Sequence, residues 1–206
     1  LRPRIEEQKR DALNKTKKLL IVSGLPGAGK DSVVQELIKQ NSDFGLIKTC
    51  TTRLRRIEET EENDPYIRLT EEQFRLAQKS GDVIESTVYA GGNYCSLYSV
   101  FKKAFDEYRF PILRIDPEGA NFYTKLWRMG QGLFEDVSLI GVFVVAPSLD
   151  AQKNRVLNRS KDEELVKKRM AQTEIDLPHI AEAEYILINE TGELELAVEE
   201  FYQIIK

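Results

Sequence analysis

The sequence predicts an α/β fold: a parallel sheet flanked by helices, with a smaller subdomain inserted after the first strand–helix unit. Three observations predict it. Short apolar runs alternate with amphipathic helical stretches, a glycine-rich turn joins the first run to the first helix, and residues 45–96 break the alternation. Strands separated by helices need crossover connections, which place parallel strands side by side beneath two layers of helices.

Four apolar runs bounded by turn residues are the predicted core strands, because strands buried on both faces of a parallel sheet are continuously apolar. They comprise residues 19–22, 110–115, 139–145 and 185–188. The first helix is predicted at 31–40, where apolar residues recur at helical spacing. Further helices are predicted at about 70–80, 97–108, 149–158, 161–174 and 193–205.

Composition excludes several classes of protein. The 206 residues suit one domain with small mobile subdomains, and 41% hydrophobic with 31% charged residues is typical of a soluble globular chain. A net charge of -4 argues against nucleic-acid binding, and the apolar stretch at 139–147 is shorter than the ~20 residues that span a bilayer. Two cysteines and one histidine provide neither a disulfide framework nor a histidine metal site. We expect a cytoplasmic monomer or homodimer with no nucleic-acid or membrane partner.

Residues 1–18 differ from the rest of the chain in charge. They hold seven Lys or Arg against three Asp or Glu, so this segment is net +4, and they lack the apolar run of a secretory signal. We interpret them as a basic N-terminal extension. The domain proper is predicted at 19–206.

The glycine-rich turn matches a phosphate-binding loop. Its G-x-x-x-x-G-K pattern is complete at Gly24, Gly29 and Lys30, with a strand before it and a helix after it. Glycines let successive amide N–H groups converge on phosphate oxygens, and Lys30 would reach the β- and γ-phosphates. We expect Lys30 to face solvent when no ligand is bound. The predicted nucleotide-binding set in this loop is Gly24, Gly27, Ala28, Gly29, Lys30, Asp31 and Ser32.

A second set of motifs resembles the guanylate kinase family. Thr51-Thr52-Arg53-Leu54-Arg55-Arg56, followed by Glu59 and Tyr66, resembles T-T-R-x-x-R-x-G-E…Y. Residues 93–96 are similar to the family's N-Y-Y-G-[ST] element, and residues 112–120 to its L-D-I-D-x-Q-G-A element. Residues 146–169 are similar to its P-P-S…R-L…R…K-R lid, and residues 184–189 to its D-Y-V-V-x-N strand. These blocks occur in the family's order from about residue 19 to 206.

The resemblance implies ATP-dependent phosphoryl transfer to GMP or dGMP, with Mg²⁺. Arg53 and Arg56 would bind the acceptor phosphate, Glu85 would accept from two neighbouring donors of guanine, and Ser96 would donate to its carbonyl oxygen. Adenine has an acceptor where guanine has a ring N–H, so a carboxylate facing that position disfavours adenine. The acceptor set so implied is Thr49, Arg53, Arg56, Tyr66, Glu85, Tyr94, Ser96 and Asp116.

The resemblance also implies the remaining roles. Arginines of the lid would close over the transferring phosphoryl group, and Asn189 would border the adenine of ATP. The implied catalytic residues are Lys30, Arg155, Arg159 and Arg169. The implied segments are a core of 19–44, 97–148 and 171–206, a nucleoside-monophosphate-binding subdomain of 45–96 and a lid of 149–170.

The chain departs from the family's pattern at four places. Asp31 replaces the hydroxyl residue after the lysine, Arg114 replaces the first acid of the D-x-D strand end, Glu58 replaces a glycine, and the element at 93–96 is one residue short. We hypothesise that Asp31 and Arg114 are a charge-swapped pair in which Asp31 supplies the missing acid to magnesium. Alternatively, the two neutralise each other and weaken the metal site.

The departures leave other functions open. The altered element around Cys95 is compatible with an acceptor base other than guanine, or with a kinase of the same fold for another phosphorylated acceptor. A further alternative is a catalytically silent module that binds a partner protein. The intact phosphate loop argues against that last interpretation, because such modules usually lose it.

Overall fold

The computed structural model describes residues 17–55, 60, 64–89, 91–159 and 162–206. The chain forms two compact units. The larger contains the described residues up to Leu46 together with Tyr108–Lys206, and the smaller contains the described residues of Ile47–Glu107. None of the described helices is long and apolar enough to cross a membrane.

The strands are numbered in chain order. They are β1 (Lys17–Gly24), β2 (Phe44–Ile47), β3 (Thr49–Thr51), β4 (Tyr66–Arg68), β5 (Val83–Tyr89), β6 (Gly92–Leu97), β7 (Phe110–Arg114), β8 (Val137–Val145) and β9 (Tyr185–Ile188). One sheet has the order β2-β7-β1-β8-β9, and within it β1 runs parallel to β7 and β8, and β9 parallel to β8. All four predicted core strands are present and lie side by side in this sheet.

The helices are α1 (Lys30–Gln40), α2 (Glu71–Ser80), α3 (Tyr98–Glu107), α4 (Pro117–Arg128), α5 (Leu149–Arg159), α6 (Glu163–Asp176) and α7 (Leu194–Ile204). Short 3₁₀ turns lie at Gly132–Phe134 and Leu177–Glu182. Of the seven helices in the described part of the chain, six were predicted within two residues of their observed ends. The exception is α4.

Helix α4 was not predicted from the sequence, because its first residues are typical of a turn. Its first residues include a proline and a glycine, which are common in loops. Proline is tolerated at the first helical position, where its missing N–H would have no partner, and the Asp116 side chain accepts from the Gly119 amide at 2.8 Å. The helix is therefore started by a cap and a proline.

The core of the larger unit is built around β1. Leu19, Leu20, Ile21 and Val22 are all at most 2% exposed, because β1 is central in its sheet and covered on both faces. Side chains of α1 and α7 pack against the sheet, Leu37 and Phe201 among them. This packing fixes where β1 ends and the glycine-rich loop begins.

The N-terminal boundary differs from the prediction. Strand β1 begins at Lys17, so the last two residues of the predicted extension belong to the sheet. Lys17 pairs with Val137, and the Lys18 ammonium donates to the carbonyl oxygen of Ile205 at 3.1 Å. Residues 1–16 lie outside the described part of the chain.

The smaller unit has its own sheet, in the order β4-β3-β6-β5. Strand β3 is parallel to β4 and antiparallel to β6, and β5 is antiparallel to β6. A small core of Cys50, Phe74, Cys95 and Leu97 lies beneath it. The unit extends to Glu107 and not to 96 as predicted, because the amide and hydroxyl of Ser99 in α3 donate to Asp82 at 2.8 and 2.6 Å.

Gly24 tests the junction of β1 with the loop. Its φ is +141°, and an added Cβ would lie 2.0 Å from the carbonyl oxygen of Val144. We expect Gly24→Ala to lower the free energy of unfolding by about 2 kcal/mol or more, measured by denaturant titration. Gly141→Ala is the matched control, since Gly141 lies in β8 opposite Ile21 and a Cβ there meets nothing within 4 Å. Equal losses in the two variants would contradict this account.

Candidate active site

The glycine-rich loop connects β1 to α1 and has the backbone that its sequence predicts. Gly29 has φ +90° and is the N-cap of α1. An added Cβ at Gly29 would lie 2.2 Å from the side-chain nitrogen of Asn189, so close approach of that side chain also requires glycine. The loop therefore presents its amides at the N-terminus of an eleven-residue helix, the arrangement that suits phosphate.

Lys30 does not face solvent as expected. Its ammonium donates to the carbonyl oxygens of Gly24 at 2.7 Å and Leu25 at 3.1 Å, so the side chain folds back over its own loop. Burial lowers the pKa of Lys30 to about 8, and the neighbouring Asp31 carboxylate opposes that shift. The ammonium is thus held at the mouth of the loop by backbone acceptors.

Two side chains hold the loop through one carbonyl group. The Asn189 side-chain amide donates to the Ala28 oxygen at 2.8 Å, and Arg155 donates to the same oxygen at 3.3 Å. Arg155 also donates to the Asn189 carbonyl oxygen at 2.8 Å and to the Thr191 hydroxyl at 2.9 Å. The guanidinium of Arg155 is thus bound to backbone carbonyl groups of the loop and of the segment after β9, and its expected role over the phosphoryl group stays a prediction.

Gln152 contributes to this site without any signal in the sequence. It is 1% exposed, and its amide donates to the carbonyl oxygen of Pro26 and to the hydroxyl of Thr173, both at 2.8 Å. It thereby ties the loop to both α5 and α6. A glutamine within a charged helix is usually a surface residue, so only the packing of α5 against the loop reveals its role.

Asp31 and Arg114 are in direct contact, as the charge-swap hypothesis requires. The Arg114 guanidinium donates through Nη1 to Asp31 Oδ1. Arg114 is the last residue of β7, and its Cα is paired with Val22 of β1, so the sheet register brings its side chain to the start of α1. Which of the two hypotheses about the metal applies depends on what else this pair binds.

Two carboxylates lie near Lys30 in the larger unit. Asp116 caps α4 through its side chain, and its charge and that of Asp176 both act on Lys30. Asp176 is 5% exposed, accepts from the Gln172 amide at 2.8 Å, and has its pKa raised mainly by burial. Asp116 was assigned to the acceptor nucleotide on the resemblance alone. Its charge acts on the phosphate-loop lysine, and its role towards the acceptor nucleotide stays a prediction.

In the smaller unit, an arginine and two tyrosines of the predicted acceptor set form one cluster. Arg53 donates through Nε to the Tyr94 hydroxyl at 2.8 Å. The rings of Tyr66 and Tyr94 meet edge to face at 5.4 Å, and the Arg53 guanidinium lies 5.9 Å from the Tyr66 ring centroid. Thr49 is the register partner of Tyr66 on the adjacent strand. A cation and two hydroxyl groups thus form one cluster, and Thr49 lies on the strand beside it.

Asp64 supports this cluster and was missed by sequence reasoning, which treated it as part of a polar loop. It is 4% exposed and accepts from Arg68 through both oxygens at 2.8 Å, and from Arg55 at 2.8 Å. Arg68 in turn donates to the carbonyl oxygen of Arg53 at 2.7 Å. The buried carboxylate therefore holds the backbone that carries Arg53.

Glu85 and Ser96 face each other across β5 and β6. Their Cα atoms are register partners, and the Ser96 hydroxyl donates to Glu85 Oε1 at 2.8 Å. A carboxylate only accepts, so the single proton of this hydroxyl is committed to Glu85. Ser96 is 1% exposed. It therefore orients Glu85 here, and the expected donation from Ser96 to a guanine carbonyl would need that proton to turn away.

Three arginines of the expected set remain. Arg56 lies outside the described residues, as does the side chain of Arg159 at the end of α5. Arg169, in α6, has a half-exposed side chain, and its carbonyl oxygen accepts from the Thr173 hydroxyl at 3.1 Å. Among the described contacts, no hydrogen bond from its guanidinium is present, and its role over the phosphoryl group stays a prediction.

Comparison with known proteins decides the family. A family model for guanylate kinase matches residues 16–206. This chain belongs to the guanylate kinase family. The guanylate kinase of Lactobacillus johnsonii is 30% identical over 175 residues, 84% of this chain and 81% of that protein. The guanylate kinase of Alkalilimnicola ehrlichii is 31% identical over 180 residues, 87% and 84% of the two chains.

A solved structure supports the fold of this guanylate kinase family member. The crystal structure of guanylate kinase from Anaplasma phagocytophilum aligns with a TM-score of 0.63 at 19% identity, covering 93% of this chain and 85% of that one. The predicted α/β fold is therefore confirmed, and so is the resemblance read from the motifs.

Asp64 gives this guanylate kinase family member a predictable acid response. Hydrogen bonds from Arg68, and then Arg55, hold the pKa of Asp64 below its usual range despite burial. Its ionised form therefore stabilises the fold above the unfolded-state pKa of ~3.9, and this contribution is lost as the pH falls below that value. We expect Asp64→Asn to lower Tm at pH 7 by ~5 °C or more and to flatten the fall of Tm towards pH 3.

The measurement is a series of thermal melts of wild type, Asp64→Asn and the exposed Asp136→Asn between pH 7 and pH 3. The Asp136 variant should follow wild type throughout. A wild-type melting curve no more sensitive to acid than that of Asp64→Asn would show that Asp64 does not hold this unit together.

Proposed function

We propose that this protein transfers the γ-phosphoryl group of ATP to GMP or dGMP, giving ADP and GDP or dGDP. One observation carries the proposal: two groups of side chains lie on the same four-stranded sheet. Arg53 with Tyr94 suits a phosphate group, and Glu85, oriented by the buried Ser96, suits guanine. The family supplies the reaction class. Because the substrates are soluble nucleotides, we place the protein in the cytoplasm.

The donor half is the glycine-rich loop. Its amides and the Lys30 ammonium would hold the β- and γ-phosphates, and the loop keeps its shape because Asn189, Arg155 and Gln152 bind its carbonyl groups. Phosphoryl transfer demands mainly positioning and neutralised charge. Arg169 and Arg155 are the described lid arginines that would serve this purpose, and Arg155 also holds the loop.

The acceptor half selects guanine by hydrogen-bond polarity. The Glu85 carboxylate would accept from the ring N–H and exocyclic amine of guanine, while Ser96 orients it. Arg53, Tyr66, Tyr94 and Thr49 would bind the acceptor phosphate. Adenine has an acceptor at that ring nitrogen, so the Glu85 carboxylate would lose a hydrogen bond and stay desolvated and unpaired, and adenine would bind more weakly.

Magnesium is part of the proposal. Among the described residues, no cluster of three or more His, Cys, Asp or Glu is arranged to hold a metal ion, so an ion would take most ligands from the nucleotide. Asp31 and Ser32, in the first turn of α1, offer one carboxylate and one hydroxyl, which fit that limited share. Magnesium bound there would neutralise phosphate charge during transfer.

A coupled assay with ATP and each of GMP, dGMP, AMP, UMP and CMP tests the function. We expect turnover with GMP and dGMP, and at least tenfold lower kcat/KM with the others. Preference for a different monophosphate would replace guanine in the proposal. The absence of turnover with all five, by a folded protein, would reject it.

Lys30 predicts how donor binding depends on pH. In the free protein its pKa is about 8, and bound phosphate favours its charged form. The affinity for ADP should therefore be highest below pH 8 and should fall as the pH rises to 9. Calorimetric titration of ADP at both pH values measures this, with Lys30→Ala expected to bind weakly and without that pH dependence. An equal fall in the variant would assign the effect to another group.

Glu85→Gln tests base recognition. Glutamine offers one acceptor and a donor where guanine needs two acceptor contacts, so we expect KM for GMP to rise about tenfold or more with a smaller change in kcat. The control is Glu72→Gln, an exposed carboxylate on α2 of the same unit. An unchanged KM in Glu85→Gln would remove this residue from base recognition.

A further inference from the structure

Arg114 occupies the position in the sheet where ligands of parallel α/β folds bind. It is the last residue of β7, and its pairing partner Val22 lies two residues before Gly24. The carboxyl ends of adjacent parallel strands open onto one edge, and the glycine-rich loop starts at that edge. Its side chain is 20% exposed, so it is partly shielded but still reaches solvent.

The guanidinium of Arg114 is fixed in position and still has N–H donors that can bind a ligand. Its described hydrogen bond runs from Nη1 to Asp31 Oδ1, in the first turn of α1. A guanidinium carries five N–H donors in one plane, so a single carboxylate contact leaves donors that can form a fork with phosphate oxygens. The bond to Asp31 fixes the plane of that fork beside the loop.

The groups beside the loop have the geometry that suits phosphate. Lys30 and Arg114 are close enough for the arginine to lower the pKa of the lysine, and both lie beside the N-terminus of α1. Asp31 accepts from Arg114, while Asp116 and Asp176 also act on the charge of Lys30. The guanidinium of Arg114, fixed by Asp31 beside a helix N-terminus, is therefore the group whose remaining donors can meet phosphate oxygens.

We propose that Arg114 is a phosphate-binding residue of the donor site, positioned by Asp31, and that it makes nucleotide binding largely independent of magnesium. The inference rests on the proposed function for the identity of the donor, a nucleoside di- or triphosphate. An acid at position 114 could not contact phosphate directly and would need a cation between them. The arginine takes the place of that cation.

The test is calorimetric titration of ADP into the full chain in EDTA and again in saturating magnesium. Wild type should bind ADP in EDTA within about fivefold of its affinity in magnesium. Arg114→Ala should lose about tenfold or more in EDTA and distinctly less in magnesium, since charge-assisted hydrogen bonds are worth that much. The exposed Arg128→Ala removes the same charge from α4 and should match wild type in both media.

The double variant Asp31→Ser with Arg114→Asp restores the residue types usual in the family. It should bind ADP in magnesium nearly as wild type does and lose more than tenfold in EDTA. Arg114→Lys keeps a cation and should retain most of the metal-free affinity that Arg114→Gln loses. That second pair decides the question if Arg114→Ala proves unstable in thermal melts.

The inference is overturned if wild type itself loses more than tenfold in EDTA, or if Arg114→Ala and Arg128→Ala bind alike. GMP kinase activity measured on the same preparations separates the two proposals. Activity with GMP together with Arg114-independent ADP binding rejects this inference alone. The expected ADP pattern without GMP turnover rejects the proposed acceptor and leaves the role of Arg114 standing.

Discussion

The parallel pairing of β1 with β7 on one side and β8 on the other is the constraint on which the donor half of the protein depends. It buries β1 from Leu19 to Gly24, so the chain must leave the sheet at Gly24 under the carbonyl of Val144, where no side chain fits. The same register carries Arg114 to the start of α1. The shape of the loop and the ion pair beside it are therefore both consequences of strand order.

A glycine-rich loop can adopt its curled shape cheaply, but glycine supplies no side chain to keep that shape. Here the loop's carbonyl groups are bound from outside, by Asn189 and Arg155 at Ala28, by Gln152 at Pro26, and by Lys30 at the loop's own start. In the smaller unit the buried carboxylate of Asp64 acts similarly, holding the segment of Arg53 through Arg68.

The motifs led to the correct family, and apolar periodicity to the four core strands and six of the seven described helices, because burial imposes a periodic pattern on the sequence. The motifs also assigned Arg53 and Tyr94 to one ligand group and Glu85 and Ser96 to another, and the members of each pair are in contact. The expectation that Lys30 faces solvent was wrong, because its partners are backbone carbonyl groups, whose positions no motif records. Arg155 is likewise bound to backbone carbonyl groups that the sequence does not reveal.

The sequence by itself determined the alternation of strands and helices and the phosphate loop, since residue type and spacing are local properties. It also predicted that Asp31 and Arg114 are a charge-swapped pair. Only the tertiary structure decided that those two groups touch, that Gln152 and Asp64 are buried connectors, and that the hydroxyl proton of Ser96 is committed to Glu85. The physical reason is distance along the chain. Asp31 and Arg114 are 83 residues apart, and contacts of that kind are set by strand register and helix packing, which no short stretch of sequence encodes.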